Sequence, residues 1–363
     1  MNKIYAYNHQ PIHFDFKQSI ERFFVEEIPL FSFANSGANL VLKIKKSDMS
    51  TFKLISVIAK ATNLDHRDIG YAGLKDKNAT TIQYISIPKI HEKALNKNLT
   101  TDKIEILQRY YSKFPIKIGQ LKANKFSIVL HDVSQEAHIA ISKSAKEMTK
   151  KGIPNYYGYQ RFGENGQSHL QGEEIAMSGK KLKGAKEKLL VSAYQSYLFN
   201  EWLASRIKIS KTIANYSIDE ATKLLDYPKE LVYALDKQPH FFKLFIGDHF
   251  QNYPYGKESF IKELEHSAKA FDMAQKSPTG MLVGSKVKRA FSDARALEEP
   301  FDNLELYALK GDRRYAWIWP SDLSLEYDYH NQKLTINFTL PKGAYATTFL
   351  EEIGKSSLKE ESL

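Results

Sequence analysis

The hydrophobic period of this sequence changes twice along the chain, and this change limits the possible folds more than any other feature. Up to about residue 130, apolar residues alternate with polar residues, as they do in half-buried strands. Beyond residue 172 the apolar residues recur at helical spacing, and alternation returns at 323–341. The order strand-rich, helix-rich, strand-rich predicts a second domain inserted into the first.

Eight strands are predicted, six of them in the first 130 residues. Those six span 24–29, 39–46, 69–72, 81–87, 103–111 and 126–130. The other two, at 323–329 and 333–341, form a predicted hairpin that turns through 330–332. Both groups belong to the first predicted domain.

Helical spacing marks four further stretches. The stretch 50–62 has a predicted buried face of Phe52, Ile55, Ile58 and Ala61. Ser134 is the predicted N-cap of a helix that runs through Met148. Two sets of apolar residues at helical spacing lie in the insert: Leu190, Tyr194, Tyr197, Leu198 and Trp202, and then Phe260, Ile261, Leu264, Ala268 and Phe271.

Glycine and proline punctuate residues 150–172, which indicates a loop or a domain boundary. We therefore assign 1–152 and 319–355 to a discontinuous first domain, 153–318 to the insert, and 356–363 to a flexible tail. A chain of 363 residues is longer than one hydrophobic core usually organises, which agrees with two domains.

Composition restricts the partner and the compartment. The formal net charge of +10 favours a polyanion as partner. The chain has no cysteine, which excludes disulfides and thiolate zinc sites and is typical of a reducing cytoplasm. The first residues lack the apolar core of a signal peptide, and the longest aliphatic runs are too short to span a bilayer. We therefore expect a soluble, cytoplasmic protein.

Basic residues gather near aromatic residues in three places. The clusters are Lys113, Lys117, Lys122 and Lys125; Lys143, Lys146, Lys150 and Lys151; and Lys286, Lys288, Arg289 and Arg295. Lysines neutralise phosphates and aromatic rings stack on unpaired bases, so the pattern is typical of a surface that binds RNA. Each cluster alone is more often a solvated face, and their repetition carries the inference.

Several reaction classes lack the residues that they need. The segment 179–186 has two glycines at the spacing of a phosphate loop, but Ala185 and Lys186 replace the required Lys-Ser/Thr pair. The sequence contains no His-Glu-x-x-His pair and no Gly-x-Ser-x-Gly elbow. Metal-dependent hydrolysis and serine chemistry are therefore not indicated.

A single carboxylate, Asp76, lies between Lys75 and Lys77 in the polar loop that joins two predicted strands. Composition leaves two interpretations open. Asp-Lys-Asn after a glycine is good turn material, because short polar side chains bond their own backbone. Loops also carry catalytic residues, and a carboxylate beside cations can serve as a nucleophile or a base.

Five stretches resemble the TruD family of tRNA pseudouridine synthases. They are Lys17 with FFVEE at 23–27, AGLKDKNATTIQ at 72–83, ANKF at 123–126, PNYYGYQRFG at 154–163 and LPKGAYAT at 340–347. The patterns are long and follow the family's order, whereas 205–310 carries no diagnostic match. At three positions the sequence departs from the family. It has Ala123 where the family more often has glycine, Tyr345 where phenylalanine is usual, and Glu351 where arginine is common. We expect the added methyl group of Ala123 beside the base pocket.

The resemblance implies an isomerase that converts uridine to pseudouridine in tRNA, at uridine-13 in bacterial members, without a cofactor or a metal. It implies an α+β fold, in which a pseudouridine synthase catalytic domain with a mixed, largely antiparallel sheet carries an inserted α/β TRUD domain. The implied partner is tRNA, and we expect a monomer with no obligate protein partner and no membrane association. The same chemistry at another RNA site, or a non-catalytic RNA-binding role, stays open.

The resemblance also assigns roles to residues. It makes Asp76 the catalytic aspartate and Lys17 the active-site cation, which would favour the ionised carboxylate. Phe126 and Tyr345 would sandwich a flipped-out base, although core packing is the competing interpretation for both rings. Asn124 would bond the uracil edge or the backbone. The remaining residues assigned to substrate binding are Glu27, Lys75 and Arg161.

Overall fold

The computed structural model describes residues 3–98, 101–163 and 165–358. The strands in these ranges are β1 (Phe23–Pro29), β2 (Asn39–Ser47), β3 (Gly70–Tyr71), β4 (Thr80–Pro88), β5 (Ile104–Ser112), β6 (Leu121–Leu130), β7 (Ile153–Pro154), β8 (His249–Asn252), β9 (Glu258–Phe260), β10 (Lys276–Leu282), β11 (Asp312–Tyr315), β12 (Trp317–Ile318), β13 (Ser321–Asp328) and β14 (Lys333–Pro341). The helices are α1 (Thr51–Thr62), α2 (Glu92–Asn98), α3 (Gln135–Lys151), α4 (Ser168–Met177), α5 (Gly184–Asn215), α6 (Ile218–Leu225), α7 (Lys229–Asp236), α8 (Leu264–Asp272), α9 (Ser292–Glu298) and α10 (Ala346–Gly354). Within the described ranges, no helix combines the length and the apolar character needed to cross a membrane.

The largest sheet has eight strands, in the order β13, β14, β6, β1, β4, β2, β5, with β3 also paired to β4. Strands β1 and β4 run parallel, and the other neighbouring pairs of this sheet are antiparallel. The predicted mixed, largely antiparallel sheet is therefore confirmed. All eight predicted strands are present, and β13 and β14 form the predicted hairpin.

Helices pack on this sheet in two places. Helix α1 covers the apolar side chains of β2 and β4, among them Leu42 and Ile85. Helices α3 and α10 cover β6 and β14 around Ile128 and Phe338. Burying each such side chain contributes about 1.5–3 kcal/mol, so these two clusters hold the main sheet and its helices together.

Helix α1 begins and ends as the sequence predicts, but its buried face differs. Ser50 caps its N-terminus by accepting a hydrogen bond from Lys53 N. Phe52, which was predicted to be buried, is 60% exposed, whereas Leu54 is fully buried. The buried stripe includes Thr51, and each helical residue turns by about 100°, so Phe52 points away from the sheet.

The predicted helix over 260–271 is wrong at its start. Phe260 lies in β9, where it pairs with His249 of β8, and Ile261 follows the strand outside any helix. Helix α8 begins only at Leu264, where the side chain of Glu263 accepts from His266 N. The helix predicted after Ser134 is confirmed and extends to Lys151.

The segment between β7 and β12 forms a second layer of structure. Its strands make a four-stranded sheet in the order β11, β10, β8, β9, and the long helix α5 packs against β10. Strands β7 and β12, where the chain enters and leaves this segment, pair with each other through Ile153 opposite Ile318. The two ends of the segment are therefore neighbours in space, as a domain insertion requires.

The C-terminal residues differ from a simple frayed end. Glu351, which departs from the family pattern, forms an ion pair with Lys3 and accepts a hydrogen bond from Leu358 N. The predicted tail 356–363 is thus anchored at its beginning, and its residues 359–363 lie outside the described residues.

Candidate active site

The loop between β3 and β4 carries Asp76, and neighbouring segments fix its backbone. Lys75 N donates to Thr51 Oγ1 at 2.9 Å, at the first turn of α1. Gly119 N, from the loop before β6, donates to Ala72 O at 2.7 Å. The start of a helix and an adjacent loop therefore hold the segment that presents the aspartate.

A row of polar side chains crosses the main sheet near this loop. Lys46 pairs with Thr81, and Thr81 pairs with Val25. Glu27 pairs with Asn124. Directly paired residues share a face of a sheet, as do residues two apart in one strand, so these side chains lie on one face. We name this row the polar floor, and its members are Lys46, Thr81, Gln83, Glu27 and Asn124.

Three atoms of the polar floor are buried without a hydrogen-bond partner among the residues that the structure describes: Thr81 Oγ1, Gln83 Nε2 and Asn124 Oδ1. Leaving such an atom unpaired costs about 1–3 kcal/mol, so native proteins rarely do so. Three of them in one row beside an exposed carboxylate are typical of a site that binds a polar ligand.

The lysine next to the aspartate is held by a carboxylate of the floor. Lys75 Nζ lies 2.7 Å from Glu27 Oε2, and the two side chains are only 5% and 2% exposed. The cation therefore has a fixed position beside the loop, because a buried charge is stable only when it is paired.

The surroundings of Asp76 act on its ionisation in opposite directions. The residue is exposed to solvent. Burial of its carboxyl by nearby protein atoms nevertheless raises the pKa of Asp76, and the charges of Lys46 and Lys75 oppose this rise. A raised pKa is common for groups that must exchange a proton near neutral pH.

Tyr345 lies at the start of α10, where the charge of Asp76 reaches it. Burial raises the pKa of Tyr345, the charges of Arg314 and Arg161 lower it, and the Asp76 carboxylate raises it. Its ring meets Tyr157 at a centroid distance of 6.0 Å and an interplanar angle of 60°. The charges of Asp76, Arg314 and Arg161 therefore all act on Tyr345, which places the three charged groups near its ring.

Arg314 joins the surroundings of Tyr345 to the segment between β7 and β12. From β11, it stacks over Tyr157 at 4.0 Å and donates to Gly343 O at 2.7 Å. A second contact is the bond from its Nη2 to Asn155 Oδ1 at 2.8 Å. An arginine can hold such a set of acceptors in fixed geometry because its guanidinium is planar.

Gly158 lets the chain pass close to Tyr345. A Cβ atom at this position would lie 3.0 Å from Tyr345 Cδ1 and 2.9 Å from Thr347 Oγ1. A Cβ atom this close would force Tyr345 or Thr347 to shift, which glycine avoids.

Comparison with known proteins identifies the family. The family model described as tRNA pseudouridine synthase D (TruD) matches residues 2–185 and 178–353. The chain belongs to the TruD family. This confirms the resemblance read from the sequence, and since pseudouridine synthases are isomerases, it also confirms the predicted enzyme class.

Individual TruD proteins are similar over their whole length. The tRNA pseudouridine synthase D of Sulfurimonas denitrificans is 41% identical over 360 residues, which cover 99% of this chain and 100% of that protein. The protein of that name from Campylobacter jejuni is 36% identical over 362 residues, covering 98% and 97%. A crystal structure described as TruD from Methanosarcina mazei aligns with a TM-score of 0.68 and 21% identity, covering 98% and 96% of the two chains, and supports the fold.

The TruD fold brings most of the predicted site residues together. Asp76, Lys75, Glu27 and Tyr345 lie in the site, and Arg161 stacks against Tyr157, 5.7 Å from its ring, and donates to Ser196 Oγ. Asn124 contributes its buried Oδ1 to the polar floor.

Lys17 and Phe126 are placed differently from the rest. Lys17 is exposed in the segment before β1, and no hydrogen bond or ion pair joins it to Asp76 within the described ranges. Phe126 is 6% exposed and packs in the core on Phe338, with ring centroids 5.4 Å apart. Their roles as active-site cation and base platform stay predictions.

Ala123 lies on the other face of the sheet from the polar floor. In β6 it precedes Asn124, and side chains alternate between the two faces of a strand. Its methyl group therefore points away from the polar floor, and its place beside a base pocket stays a prediction.

The first and the third basic clusters differ in how far their charges are free to bind RNA. Lys113, Lys117, Lys122 and Lys125 are all exposed, on β6 and the loop before it. In the third cluster, Arg289 and Arg295 each contact Asp302 at 2.7 Å, so their charges are already paired within the protein.

Proposed function

We propose that this protein converts uridine to pseudouridine in tRNA, at uridine-13, with Asp76 as the catalytic carboxylate. The observation that carries the proposal is the placement of Asp76. It is exposed on a loop with a fixed backbone, beside the paired cation of Lys75, and close enough to Tyr345 for its charge to act on the phenol.

The reaction is an isomerisation, so uridine and pseudouridine contain the same atoms. The bond from ribose C1′ to uracil N1 breaks, the uracil turns, C5 bonds to C1′, and the proton on C5 leaves while N1 gains one. One carboxylate in contact with a flipped-out nucleotide can serve this sequence, either as a nucleophile or as a base. Of the two carboxylates named in the site, Glu27 is buried and paired with Lys75, whereas Asp76 is exposed and forms no salt bridge with any residue that the structure describes.

The polar floor and the ring of Tyr345 suit a uracil. The buried Asn124 Oδ1 has the acceptor character to receive the N3–H of the base. Tyr345 offers an aromatic ring, with Arg161 and Arg314 near it for the phosphates that flank the flipped nucleotide. An extruded base is read in this way in enzymes that act on nucleobases.

The rim of the site suits RNA. Lys342 Nζ donates to Gly119 O, which brings the loop before β6 next to the strand that leads to Tyr345. That loop exposes Lys113 and Lys117 together with Ile118, which is 75% exposed. Cations with an exposed apolar side chain between them fit a backbone with unstacked bases.

The division into domains is part of the proposal. We assign 153–318 to an inserted TRUD domain and 1–152 with 319–355 to the catalytic domain. The pairing of β7 with β12 supports this boundary, and Arg314 would couple the insert to the catalytic site.

The test uses the purified protein and two tRNA transcripts, identical except for uridine or cytidine at position 13. We expect one pseudouridine, at position 13, in the first transcript and none in the second. Pseudouridine at another position would instead support the same chemistry on a different target. Tight binding of both transcripts without any pseudouridine would support a non-catalytic RNA-binding protein.

A further inference from the structure

Lys46 is a buried lysine beneath the loop that carries Asp76. Its residue is 1% exposed, at the end of β2. Across the described residues, its Nζ atom has no carboxylate within ion-pair distance, and it donates instead to two backbone carbonyls, Met49 O and Asp76 O, the latter at 3.3 Å. Burying an ammonium group without an ion pair is costly, so the position calls for a functional explanation.

We propose that Lys46 is a positioning residue for Asp76, holding the aspartate's backbone carbonyl while its charge favours the ionised carboxylate. The proposal rests on the catalytic role proposed above for Asp76. The carbonyl carbon of Asp76 is bonded to the Cα atom that carries the side chain, so fixing the carbonyl restricts the directions in which the carboxylate can point. A small loss of this orientation costs rate, because reacting groups must meet within narrow limits of distance and angle.

The electrostatic part of the proposal follows from the neighbours. Burial lowers the pKa of Lys46 to about 8, with the charge of Asp76 raising it and that of Lys75 lowering it. The groups that face Asp76 are Lys46 from β2, Lys75 from its own loop and Tyr345 from the start of α10. Lys75 is already paired with Glu27, whereas Lys46 forms no ion pair with any carboxylate of the described chain.

Below pH 8 Lys46 is largely protonated, and its charge lowers the pKa of Asp76. Removing the charge must therefore raise the pKa of Asp76 and move the acid limb of the pH–rate profile to higher pH. A lysine that serves only to fill space would not move this limb.

The experiment compares Lys46→Met, Lys46→Arg and a control, Lys43→Met. Lys43 is on the same strand, but it belongs to the opposite face and pairs with Glu26 at 2.8 Å. For each variant, kcat and KM for a tRNA substrate are measured across the pH range in which the protein stays folded, together with tRNA affinity and the melting temperature.

We expect Lys46→Met to lower kcat by about tenfold or more, with KM nearly unchanged and the acid limb at higher pH. Lys46→Arg keeps the charge, so it should keep the wild-type acid limb and recover part of kcat. Lys43→Met should match the wild type in kcat and in the position of the acid limb.

Two results would overturn the proposal. One is a folded Lys46→Met variant with the wild-type kcat and acid limb. The other is a loss of kcat with the acid limb unmoved, equal in both Lys46 variants, which would assign Lys46 to packing alone. Should Lys46→Met fail to fold, Lys46→Arg decides: a wild-type acid limb with partial kcat supports the proposal, and an inactive folded protein contradicts it. Asp76→Asn is assayed in parallel, because turnover by that variant would refute the role of Asp76 itself and not the placement of Lys46.

Discussion

The Nζ atom of Lys75 lies 2.7 Å from Oε2 of Glu27, and both side chains are almost fully buried. The family resemblance assigned both residues to substrate binding, but in the structure each has the other as its partner. The pair connects the loop of Asp76 to strand β1, so it serves the site by fixing the loop.

The first prediction concerns this pair. Lys75→Met or Glu27→Gln alone should lower the free energy of unfolding by about 3–5 kcal/mol, because either change leaves a buried charge without its partner. The double variant should be less destabilised than the sum of the two single variants. Urea unfolding of the four proteins measures the coupling.

A matched control is the exposed pair of Lys103 and Asp48, whose side chains are 50% and 49% exposed at a distance of 2.9 Å. Asp48→Asn should change the free energy of unfolding by less than about 1 kcal/mol. Strictly additive effects at Lys75 and Glu27 would show that their contact contributes nothing.

The second prediction concerns pH. As the proposed catalytic carboxylate, Asp76 must be ionised to act, and burial raises the pKa of this carboxyl above the ordinary value of 3.8. The rate of the chemical step should therefore fall as the pH falls through this raised pKa, by about tenfold for each unit below it. Single-turnover rates across pH measure the limb, with tRNA binding and circular dichroism as controls. Full activity at pH 4 in folded protein would contradict the account.

The loop of Asp76 could be located from the sequence because its signals are local. Alternating apolar residues define the eight strands of the main sheet, and a polar, glycine-containing stretch separates β3 from β4. The family pattern then singled out Asp76 within that stretch. Neither step depends on distant contacts.

Other parts of the site depend on contacts that no local pattern encodes. Arg314 binds Gly343 O and Asn155, which are 29 and 159 positions away in the chain. Phe260 has helical spacing with the residues that follow it, but pairing with His249 across a sheet overrides that local preference. Both outcomes are set by tertiary structure.

Lys46 was missed although the sequence held a signal for it. Leu40, Leu42 and Ile44 alternate inward in β2, and the same alternation places residue 46 on the buried face. A lysine at an inward position is an exception to the pattern of the strand. Such exceptions often mark functional sites.

The third prediction concerns salt. Replacing Lys113, Lys117, Lys122 and Lys125 by glutamine should weaken tRNA binding and reduce the slope of log affinity against log salt by about one for each phosphate that these lysines neutralise. The control replaces Lys286 and Lys288 by glutamine. Lys288 contacts Glu258 at 2.9 Å. The nearby Arg289 and Arg295 are both paired with Asp302. Filter binding at several salt concentrations measures both slopes. Equal slopes for the two variants would contradict a site-specific RNA surface.

The fourth prediction concerns the insert. Limited trypsin digestion should cut first in the exposed stretch 178–183 between α4 and α5, which contains Lys180, Lys181 and Lys183. The helices and strands of 184–318 should resist much longer, because they share buried cores. Mass spectrometry of the early fragments gives the cleavage sites. Early cuts distributed evenly through 184–318 would contradict a folded inserted domain.

The most direct test of the central claim is the release of tritium from C5-labelled uridine in tRNA by Asp76→Asn. The amide keeps the size and the turn-forming ability of aspartate but can neither attack nor accept a proton. We predict a variant that melts like the wild type, binds tRNA with similar affinity and releases no detectable tritium. Release at close to the wild-type rate would show that Asp76 is turn material and would contradict the account.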